Sequence, residues 1–376
     1  MEISLTQKRL WAIINLDNAT HNFNLIKHPL CCVVKANAYG HGAVPLAKLY
    51  EKLGAVFLAV SNIEEAIQLR NSGIKKPIII LGYTPVECAK ILYKYNIDQA
   101  VYNYQYAEEL NKKCISEGIV INIHLKIDTG MGRIGFQYHH KHNELGSALS
   151  VCGFSNLNHV GIFTHFSNSD SISDDYTKKQ FNCFREAVDF FKSNNIIFKY
   201  IHCSNSAALI NYPQYCCDMV RAGLVLYGIA PVCKTSFDLK PVLSLYSVVS
   251  NVKKINKGDS ISYGKTFIAK KDIVVATLPI GYADGFWRSN QNGFVYLNNK
   301  RCKIIGRVCM DQIMVECDNA NIGDLAEIYG EHISIYEAAE RNNTIPYEIL
   351  CSISARVPRV YIKKGKIVEI IDKILD

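Results

Sequence analysis

Five short apolar runs in this 376-residue chain end in polar or charged residues that could do chemistry. Lys35 directly follows the apolar residues 31–34. Burial at such a point lowers the pKa of an amine, which suits a lysine that binds a carbonyl compound covalently. A lysine that reaches the rim and stays solvated is the alternative that this one position leaves open.

Two further runs end in charged residues or histidine. Lys126, Asp128 and Arg133 lie close together after the apolar residues 119–125, and His165 closes residues 161–164. Because unpaired buried charge is costly, the first cluster implies mutual pairing or a bound anion. A lone histidine such as His165 is more often a hydrogen-bonded structural residue than a ligand.

The last two runs suggest a phosphate site. Ser206 follows residues 200–202 near the predicted start of a helix, and Arg221 and Gly223 follow residues 219–220. Helix N-termini bind anions, and (β/α)8 barrels often bind phosphate after strands seven and eight. Together with Lys35, these residues indicate a phosphorylated cofactor whose aldehyde a lysine can capture.

The elements that must position these residues alternate between strands and helices. Eight apolar runs are too short for helices and predict strands buried on both faces, at residues 31–34, 55–60, 77–81, 99–101, 119–127, 159–164, 200–202 and 219–220. Helical spacing occurs between most of them, at residues 43–53, 64–71, 106–117 and 177–194. Eight units in about 200 residues favour a closed (β/α)8 barrel of the TIM type over an open doubly wound sheet.

The pattern changes after about residue 231. Short strands separated by Gly, Asn and Asp are predicted at residues 242–254, 273–279, 294–297, 303–308, 313–316 and 325–329, with one helix near 334–342. We therefore expect a barrel at 1–232 and a mostly β C-terminal domain at 233–376. The extreme N-terminal strand is a candidate to pair with the second domain.

Composition narrows the class of protein. The formal charge of +8 is spread along the chain without the dense basic stripe that nucleic-acid binding uses. No apolar stretch approaches the length of a membrane span. The fourteen cysteines lack zinc-type spacing, and the first twenty residues do not resemble a signal peptide. We expect a cytoplasmic protein with reduced cysteines, no metal, and no nucleic-acid or membrane partner.

The chain resembles the alanine racemase family in nine blocks that follow the family's order. They are residues 33–42 (VVKANAYGHG), 125–135 (LKIDTGMGRIG), 164–166 (THF), 202–208 (HCSNSAA), 220–224 (VRAGL), 262–266 (SYGKT), 280–288 (IGYADGFWR), 305–312 (IGRVCMDQ) and 356–361 (RVPRVY). The resemblance implies a pyridoxal-phosphate-dependent amino-acid racemase. It also implies a homodimer in which the partner's second domain completes each active site.

By this resemblance, two residues exchange the substrate proton on opposite faces. Lys35 would bind the cofactor covalently and act on the D-isomer, and Tyr263 of the other subunit would act on the L-isomer. The remaining cofactor site is implied to consist of Arg221 at the pyridine nitrogen, His165 supporting Arg221 or Tyr263, and a phosphate site made of Tyr39, Ser206 and the backbone amides of Gly223 and Leu224.

The resemblance also implies a substrate site and a modification. Arg133 would approach the cofactor phenolate and the substrate carboxylate, and Met310 would contribute its backbone N–H. Asp311 and Tyr282 belong to the same predicted substrate site. Lys126 matches a lysine that is carbamylated in many family members.

One position departs from the family's pattern. Ala355 precedes the RVPR block where well-known members carry a tyrosine that contacts the phosphate and narrows the site. A small pocket discriminates against one extra hydroxyl by only about 1–3 kcal/mol, so we expect some activity on serine. The role implied for the product is D-alanine supply for peptidoglycan.

Two other functions compete with this interpretation. A pyridoxal-phosphate-dependent decarboxylase of the same architecture would need to recognise a second charged group, and it lacks the SYGKT tyrosine. A non-catalytic cofactor-carrying protein is the other alternative. The complete second domain with Tyr263, Tyr282 and Asp311 argues against it.

Overall fold

The computed structural model describes residues 8–172, 175–231 and 235–375, which form two compact units. Of the described residues, one unit comprises 20–38, 43–172, 175–231 and 235–239, and the other comprises 8–19, 39–42 and 240–375. The predicted domain boundary at 232/233 lies outside the described residues and stays a prediction.

The first unit is a parallel barrel whose strands are buried on both faces. Its eight strands, numbered here as barrel strands one to eight along the chain, are Leu30–Val33, Phe57–Val60, Ile78–Ile80, Ile97–Val101, Ile121–Asp128, Leu157–Phe163, Tyr200–His202 and Val220–Ala222. Each strand pairs in parallel with the next, from the first to the seventh, and the eighth pairs with the first.

Backbone hydrogen bonds also join the last two strands and close the ring. The amide of Asp218 donates to the Ile201 carbonyl at 3.0 Å, and the amide of Arg221 donates to the Ser204 carbonyl at 3.0 Å. The predicted (β/α)8 barrel is therefore confirmed, and each predicted apolar run overlaps a strand. The carboxyl ends of these strands meet at one face, where barrels of this type hold their chemistry.

Helices follow most of the barrel strands. These helices are Ala43–Leu53, Ile63–Asn71, Ala89–Lys94, Tyr104–Glu117, Leu145–Val151, Tyr176–Ser193 and Ser206–Asn211, and a further helix, Leu16–Leu25, precedes the first barrel strand. Asparagine side chains cap several of them, as when Asn62 accepts a hydrogen bond from the Glu65 amide at 2.9 Å. Two short strands, Phe136–His139 and His142–Asn143, extend from the fifth barrel strand.

The second unit is built on one ten-stranded sheet. In sheet order its strands are Asn251–Ile255, Ile273–Leu278, Ile313–Glu316, Lys300–Ile305, Phe294–Leu297, Leu325–Tyr329, Leu243–Val248, Leu10–Asn15, Arg359–Lys363 and Lys366–Ile371. The N-terminal strand pairs antiparallel with Leu243–Val248 and parallel with Arg359–Lys363. Two short strands, Ser260–Ile261 and Phe267–Ile268, form a small hairpin, and Tyr263 lies in the segment between them.

Two predictions for this unit were too simple. The run at 242–254 is two strands, Leu243–Val248 and Asn251–Ile255, which lie far apart in sheet order although they are consecutive in the chain. The chain turns between the two strands, where the Val249 amide donates to the backbone carbonyl of Asp324 and the Ser250 amide donates to that of Thr277. Besides the predicted helix, found at Ile335–Arg341, a second helix spans Pro346–Ser352.

Two properties of the described residues bear on the expectations from composition. The cysteines among them are all free thiols. No helix in that part of the chain is both long and apolar enough to cross a membrane.

Candidate active site

Lys35 lies where the first barrel strand ends, and a left-handed turn follows it. Ala36, Asn37 and Ala38 all have φ of 52–53°, a conformation that costs residues other than glycine about 1–2 kcal/mol each. Two side chains hold this turn in place. Glu65 accepts from the Ala36 amide at 2.6 Å, and Asn37 accepts from the Ala43 amide at 3.1 Å. Strain of this kind persists only where surrounding contacts fix it, and it often marks an active site.

Arg221 lies in the eighth barrel strand, with its guanidinium in the barrel interior. Its Nη1 donates to His202 Nδ1 and to the His202 carbonyl, both at 3.0 Å. Its Nη2 lies 2.7 Å from the Thr164 carbonyl, 2.9 Å from the Cys203 carbonyl and 3.2 Å from His165 Nδ1. The Nε–H takes part in none of these five contacts, so the side chain is fixed with one donor left for a ligand.

His165 accepts from Arg221 through Nδ1, so its hydrogen is on Nε2 when the ring is neutral. Burial and the nearby cations, Arg221 first among them, lower the pKa of His165 well below its ordinary value. The ring is therefore neutral near pH 7. It can donate one hydrogen bond through Nε2, and it adds no positive charge beside Arg221.

Lys126 and Asp128 end the fifth barrel strand in different environments. Lys126 is 2% exposed, and burial together with Arg221 lowers the pKa of its amine well below the ordinary value. Burial alone would raise the pKa of Asp128, but amide hydrogen bonds from Gly130 and Gly132 hold it below its ordinary value. Asp128 thereby fixes the loop that leads to Arg133, which is exposed.

Ser206 and Gly223 meet at the ends of the seventh and eighth barrel strands. The Gly223 amide donates to the Ser206 hydroxyl at 2.9 Å, and Leu224 begins a 3-10 turn, Leu224–Tyr227, directly after it. Asn205 caps the helix that Ser206 begins by accepting from the Ala208 amide at 2.9 Å. The structure therefore brings together three of the four predicted phosphate-binding residues.

Tyr39, the fourth of these residues, groups with the second compact unit. Its ring is 7% exposed and packs on Tyr347, with 5.5 Å between the ring centroids. Burial, with a smaller contribution from Tyr347, raises the pKa of Tyr39 above its ordinary value, so the phenol stays protonated.

The remaining predicted site residues lie in the second unit. Tyr263, Met310 and Asp311 line one surface groove of about 450 Å³. Tyr263 is presented by a tight turn between Ser262, with φ 67°, and Gly264, with φ 71°. Asp311 accepts from Arg356 at 2.8 Å.

Tyr282 joins this group through the backbone. Its amide donates to the Cys309 carbonyl at 3.1 Å. A Cβ atom on Gly281 would lie 2.2 Å from the Met310 carbonyl oxygen, so only glycine allows the two loops to approach. The predicted substrate residues Tyr282 and Met310 are therefore neighbours.

Comparisons with known proteins match both units. Residues 14–231 match the family model described as "Alanine racemase, N-terminal domain", and residues 242–361 match "Alanine racemase, C-terminal domain". The alanine racemase of Clostridium tetani is 40% identical over 378 residues, covering 96% of this chain and 97% of that protein. The chain belongs to the alanine racemase family.

Solved structures agree with this membership. The alanine racemase of Clostridium difficile 630 matches with a TM-score of 0.94 at 38% identity, covering 99% of this chain and 100% of that chain. The alanine racemase of Bartonella henselae, described as having covalently bound pyridoxal phosphate, matches with a TM-score of 0.85 at 27% identity, covering 94% and 100%. Membership of the alanine racemase family favours a racemase over the decarboxylase alternative.

Sequence reasoning missed several residues that position this alanine racemase site. Glu65 holds the turn after Lys35, and His202 is a direct partner of Arg221. Asp98 and His124 are buried in the fourth and fifth barrel strands. The predicted run at 99–101 began one residue after Asp98, and His124 was placed in the run at 119–127 without a role. A charged or imidazole side chain inside a doubly buried strand was the available signal, because such a group must have a partner.

Proposed function

We propose that this chain is a pyridoxal-phosphate-dependent racemase that interconverts L-alanine and D-alanine with Lys35 and the partner's Tyr263 as its two acid/base groups. The observation that carries the proposal is the convergence of Lys35, Arg221, Ser206 and Gly223 at the carboxyl ends of neighbouring barrel strands in a chain of this family. The enzyme is an isomerase, and D-alanine supply for peptidoglycan is the family's usual role.

The residues at the barrel face fit pyridoxal phosphate by their chemistry. An amine, a fixed guanidinium with an uncommitted Nε–H, and a hydroxyl beside a backbone amide match an aldehyde, a ring nitrogen and a phosphate. Lys35, Arg221, Ser206 and the Gly223 and Leu224 amides would hold the cofactor, with Tyr39 as a further phosphate donor. When bound, the cofactor supplies the carbonyl that captures the substrate amine and makes the α-hydrogen acidic.

The two bases act on opposite faces of the substrate's α-carbon. Lys35 Nζ takes or returns the proton of the D-isomer, and the Tyr263 hydroxyl of the second subunit does the same for the L-isomer. Because a guanidinium keeps its proton near neutral pH, Arg221 would donate a hydrogen bond to the ring nitrogen of the bound cofactor and would not protonate it. This limits side reactions that need a protonated ring.

The other predicted residues bind and orient the substrate. Arg133 binds the substrate carboxylate, and the Met310 amide adds a donor from the second unit. Asp311 and Tyr282 shape the same part of the site. His165, held by Arg221 through Nδ1, presents its Nε2–H and thereby supports Arg221 or Tyr263.

Lys126 is the candidate for carbamylation. Burial lowers the pKa of the Lys126 amine and so favours its neutral form, and a neutral amine reacts with carbon dioxide. The carbamate would place a negative charge among Lys126's cationic neighbours Arg221 and Arg133, which lower its pKa by their charge. Mass spectrometry under native conditions and loss of activity on bicarbonate depletion test this modification.

A homodimer is part of the proposal, and serine is the second candidate substrate. Ala355 is exposed and lacks the ring that narrows the site in well-known members of the family. Purified protein should show the visible absorption band of protein-bound pyridoxal phosphate. It should also convert L-alanine to D-alanine without added cofactor. A colourless protein that stays inactive with added pyridoxal phosphate contradicts the proposal.

A further inference from the structure

A line of hydrogen bonds crosses the barrel interior and ends on Arg221. Asp98 Oδ2 lies 3.2 Å from His124 Nε2, His124 Nδ1 lies 3.1 Å from His202 Nε2, and His202 Nδ1 lies 3.0 Å from Arg221 Nη1. All four side chains belong to residues that are at most 4% exposed. They come from barrel strands four, five, seven and eight, so the line spans the core.

The groups at the two ends of this line fix which atom donates and which accepts in each of its hydrogen bonds. A carboxylate only accepts hydrogen bonds, and a guanidinium only donates them. His124 must therefore carry its hydrogen on Nε2, which leaves Nδ1 to accept from His202 Nε2–H. His202 Nδ1 then accepts from Arg221. With the opposite tautomers, an imidazole N–H of His202 would face an N–H of Arg221 in a site closed to water.

The barrel is shaped to hold these rings. The pairing register shifts between Ile123 and His124, which places Gly161 opposite His124. A Cβ atom on Gly161 would lie 2.1 Å from His124 Nδ1, so a side chain there would displace the ring. Phe163 stacks on His202 with 4.9 Å between ring centroids and 5° between ring planes. Burial, and next Arg221, lower the pKa of His202 well below its ordinary value, as a neutral ring requires.

We propose that Asp98 is a positioning residue for racemisation: through His124 and His202 it sets the tautomer that faces Arg221 and so the orientation of the guanidinium toward the cofactor ring. This inference rests on the proposed function, because the consequence for catalysis requires the cofactor at Arg221. The tautomers themselves do not depend on catalysis. Which ring nitrogen of a histidine carries the hydrogen is set by the partner of the other nitrogen.

Asn122 makes the proposal sharply testable. Its Nδ2 donates to Asp98 Oδ1 at 3.1 Å, and its Oδ1 accepts from Asn158 Nδ2 at 2.8 Å. In an Asp98→Asn variant, the new amide oxygen pairs with the Asn122 Nδ2, which needs an acceptor. The new NH2 group then donates to His124 Nε2, which exchanges the donor and acceptor roles along the line. In the double variant Asp98→Asn with Asn122→Asp, a carboxylate at 122 accepts from that NH2 group, and the direction is restored.

The first measurement reads the tautomers directly. Nitrogen-15 NMR of the holoenzyme labelled in its histidine rings separates Nδ1–H from Nε2–H, with the signals of His124 and His202 assigned by substitution. We expect both rings to carry hydrogen on Nε2 in the wild type and in the double variant, and on Nδ1 in Asp98→Asn. A wild-type His202 that is protonated on Nδ1, or on both nitrogens at pH 7, overturns the proposal.

The second measurement reads the consequence for catalysis. Replacing the residues that orient metal ligands commonly changes activity about 10–100-fold, and we take the same scale for a residue that orients a cofactor-binding guanidinium. We expect Asp98→Asn to lower kcat by about that factor, to change KM for alanine less than about threefold, and to alter the absorption band of the bound cofactor. The double variant should recover kcat to within about threefold of the wild type. Reversed tautomers with unchanged kcat and spectrum overturn the catalytic role.

Two further variants separate this role from folding. Asn122→Ala removes a partner of Asp98 but keeps its carboxylate, so the tautomers and kcat should match the wild type. Gly161→Ala displaces His124 without touching Asp98, and it should lower kcat even if Asp98→Asn does not fold. If the wild type lacks racemase activity but shows the expected tautomers, the proposed function fails while the hydrogen-bond line stands.

Discussion

In the barrel, Lys126, His202 and Arg221 are at most 4% exposed, whereas in the second unit Tyr263 is 70% exposed and Met310 is 52% exposed. The barrel residues have their hydrogen bonds and their pKa values set by neighbours in the same unit. Tyr263 and Met310 line a surface groove. An acid/base tyrosine works best in a site closed to water, so under the proposed function the groove that Tyr263 lines would be closed by another subunit.

The largest expected effects come from the two proposed bases, Lys35 and Tyr263, one from each side of this comparison. Lys35→Ala should lower kcat by about 10⁴-fold or more, and Tyr263→Phe by about 10²–10⁴-fold, because each removes a proton-transfer group. In D2O, Tyr263→Phe should still exchange the α-hydrogen of D-alanine, which Lys35 serves, while exchange from L-alanine is lost. Proton NMR of each isomer measures both exchanges.

Tyr336→Phe is the matched control, since Tyr336 is another exposed tyrosine of the second unit, at 45%. It should retain wild-type kcat. A Tyr263→Phe enzyme with full racemase activity would remove the two-base assignment and leave the exposed groove without a catalytic role.

A hybrid dimer tests whether the second unit serves the partner's barrel. Lys35→Ala and Tyr263→Phe chains carrying different tags are co-expressed and purified through both tags. If each site combines Lys35 of one chain with Tyr263 of the other, the hybrid has one intact site and about half of wild-type activity. If each chain supplies both residues to its own site, every site in the hybrid lacks one base, and activity should not exceed that of either parent variant.

The barrel strands were predictable because burial on both faces leaves a continuous apolar run in the sequence. The sheet of the second unit was predicted less well. The apolar run at 242–254 was two strands, because the choice of partner strand in a sheet is not encoded in local periodicity. The helix Pro346–Ser352 of the same unit was also missed.

The site shows the same limit. Residues that end a strand in an unexpected charge, such as Lys35 and Arg221, were found from the sequence. Asp98, His124 and His202 were not assigned roles, because their partners are 26 and 78 residues away along the chain. The left-handed turn after Lys35 was also beyond reach, since Ala36 and Ala38 do not favour that conformation.

A smaller effect is expected at Ala355, on the exposed side of the comparison. Restoring a ring with Ala355→Tyr should narrow the site and raise the preference for alanine over serine by about tenfold, near the low end of what one pocket contact supplies. The measurement is the ratio of kcat/KM for L-alanine to that for L-serine in both proteins. A wild-type preference for alanine beyond about 10⁴-fold would refute the relaxed specificity that Ala355 implies.

The smallest expected effect concerns stability and belongs to the barrel alone. Burial, followed by Arg221, lowers the pKa of both His165 and His202 well below the ordinary 6.5. Below pH 6.5 the unfolded chain therefore binds protons that the folded chain does not, so the stabilisation is present above that pH and is lost as the pH falls. Between pH 7.5 and 5.5, each histidine should lower the free energy of unfolding by about 1 kcal/mol. Urea titrations at both pH values should show a loss about 1 kcal/mol smaller for His202→Gln than for the wild type. An equal loss in the two proteins would mean that His202 is not held neutral in the barrel, which would remove the contrast drawn with the second unit.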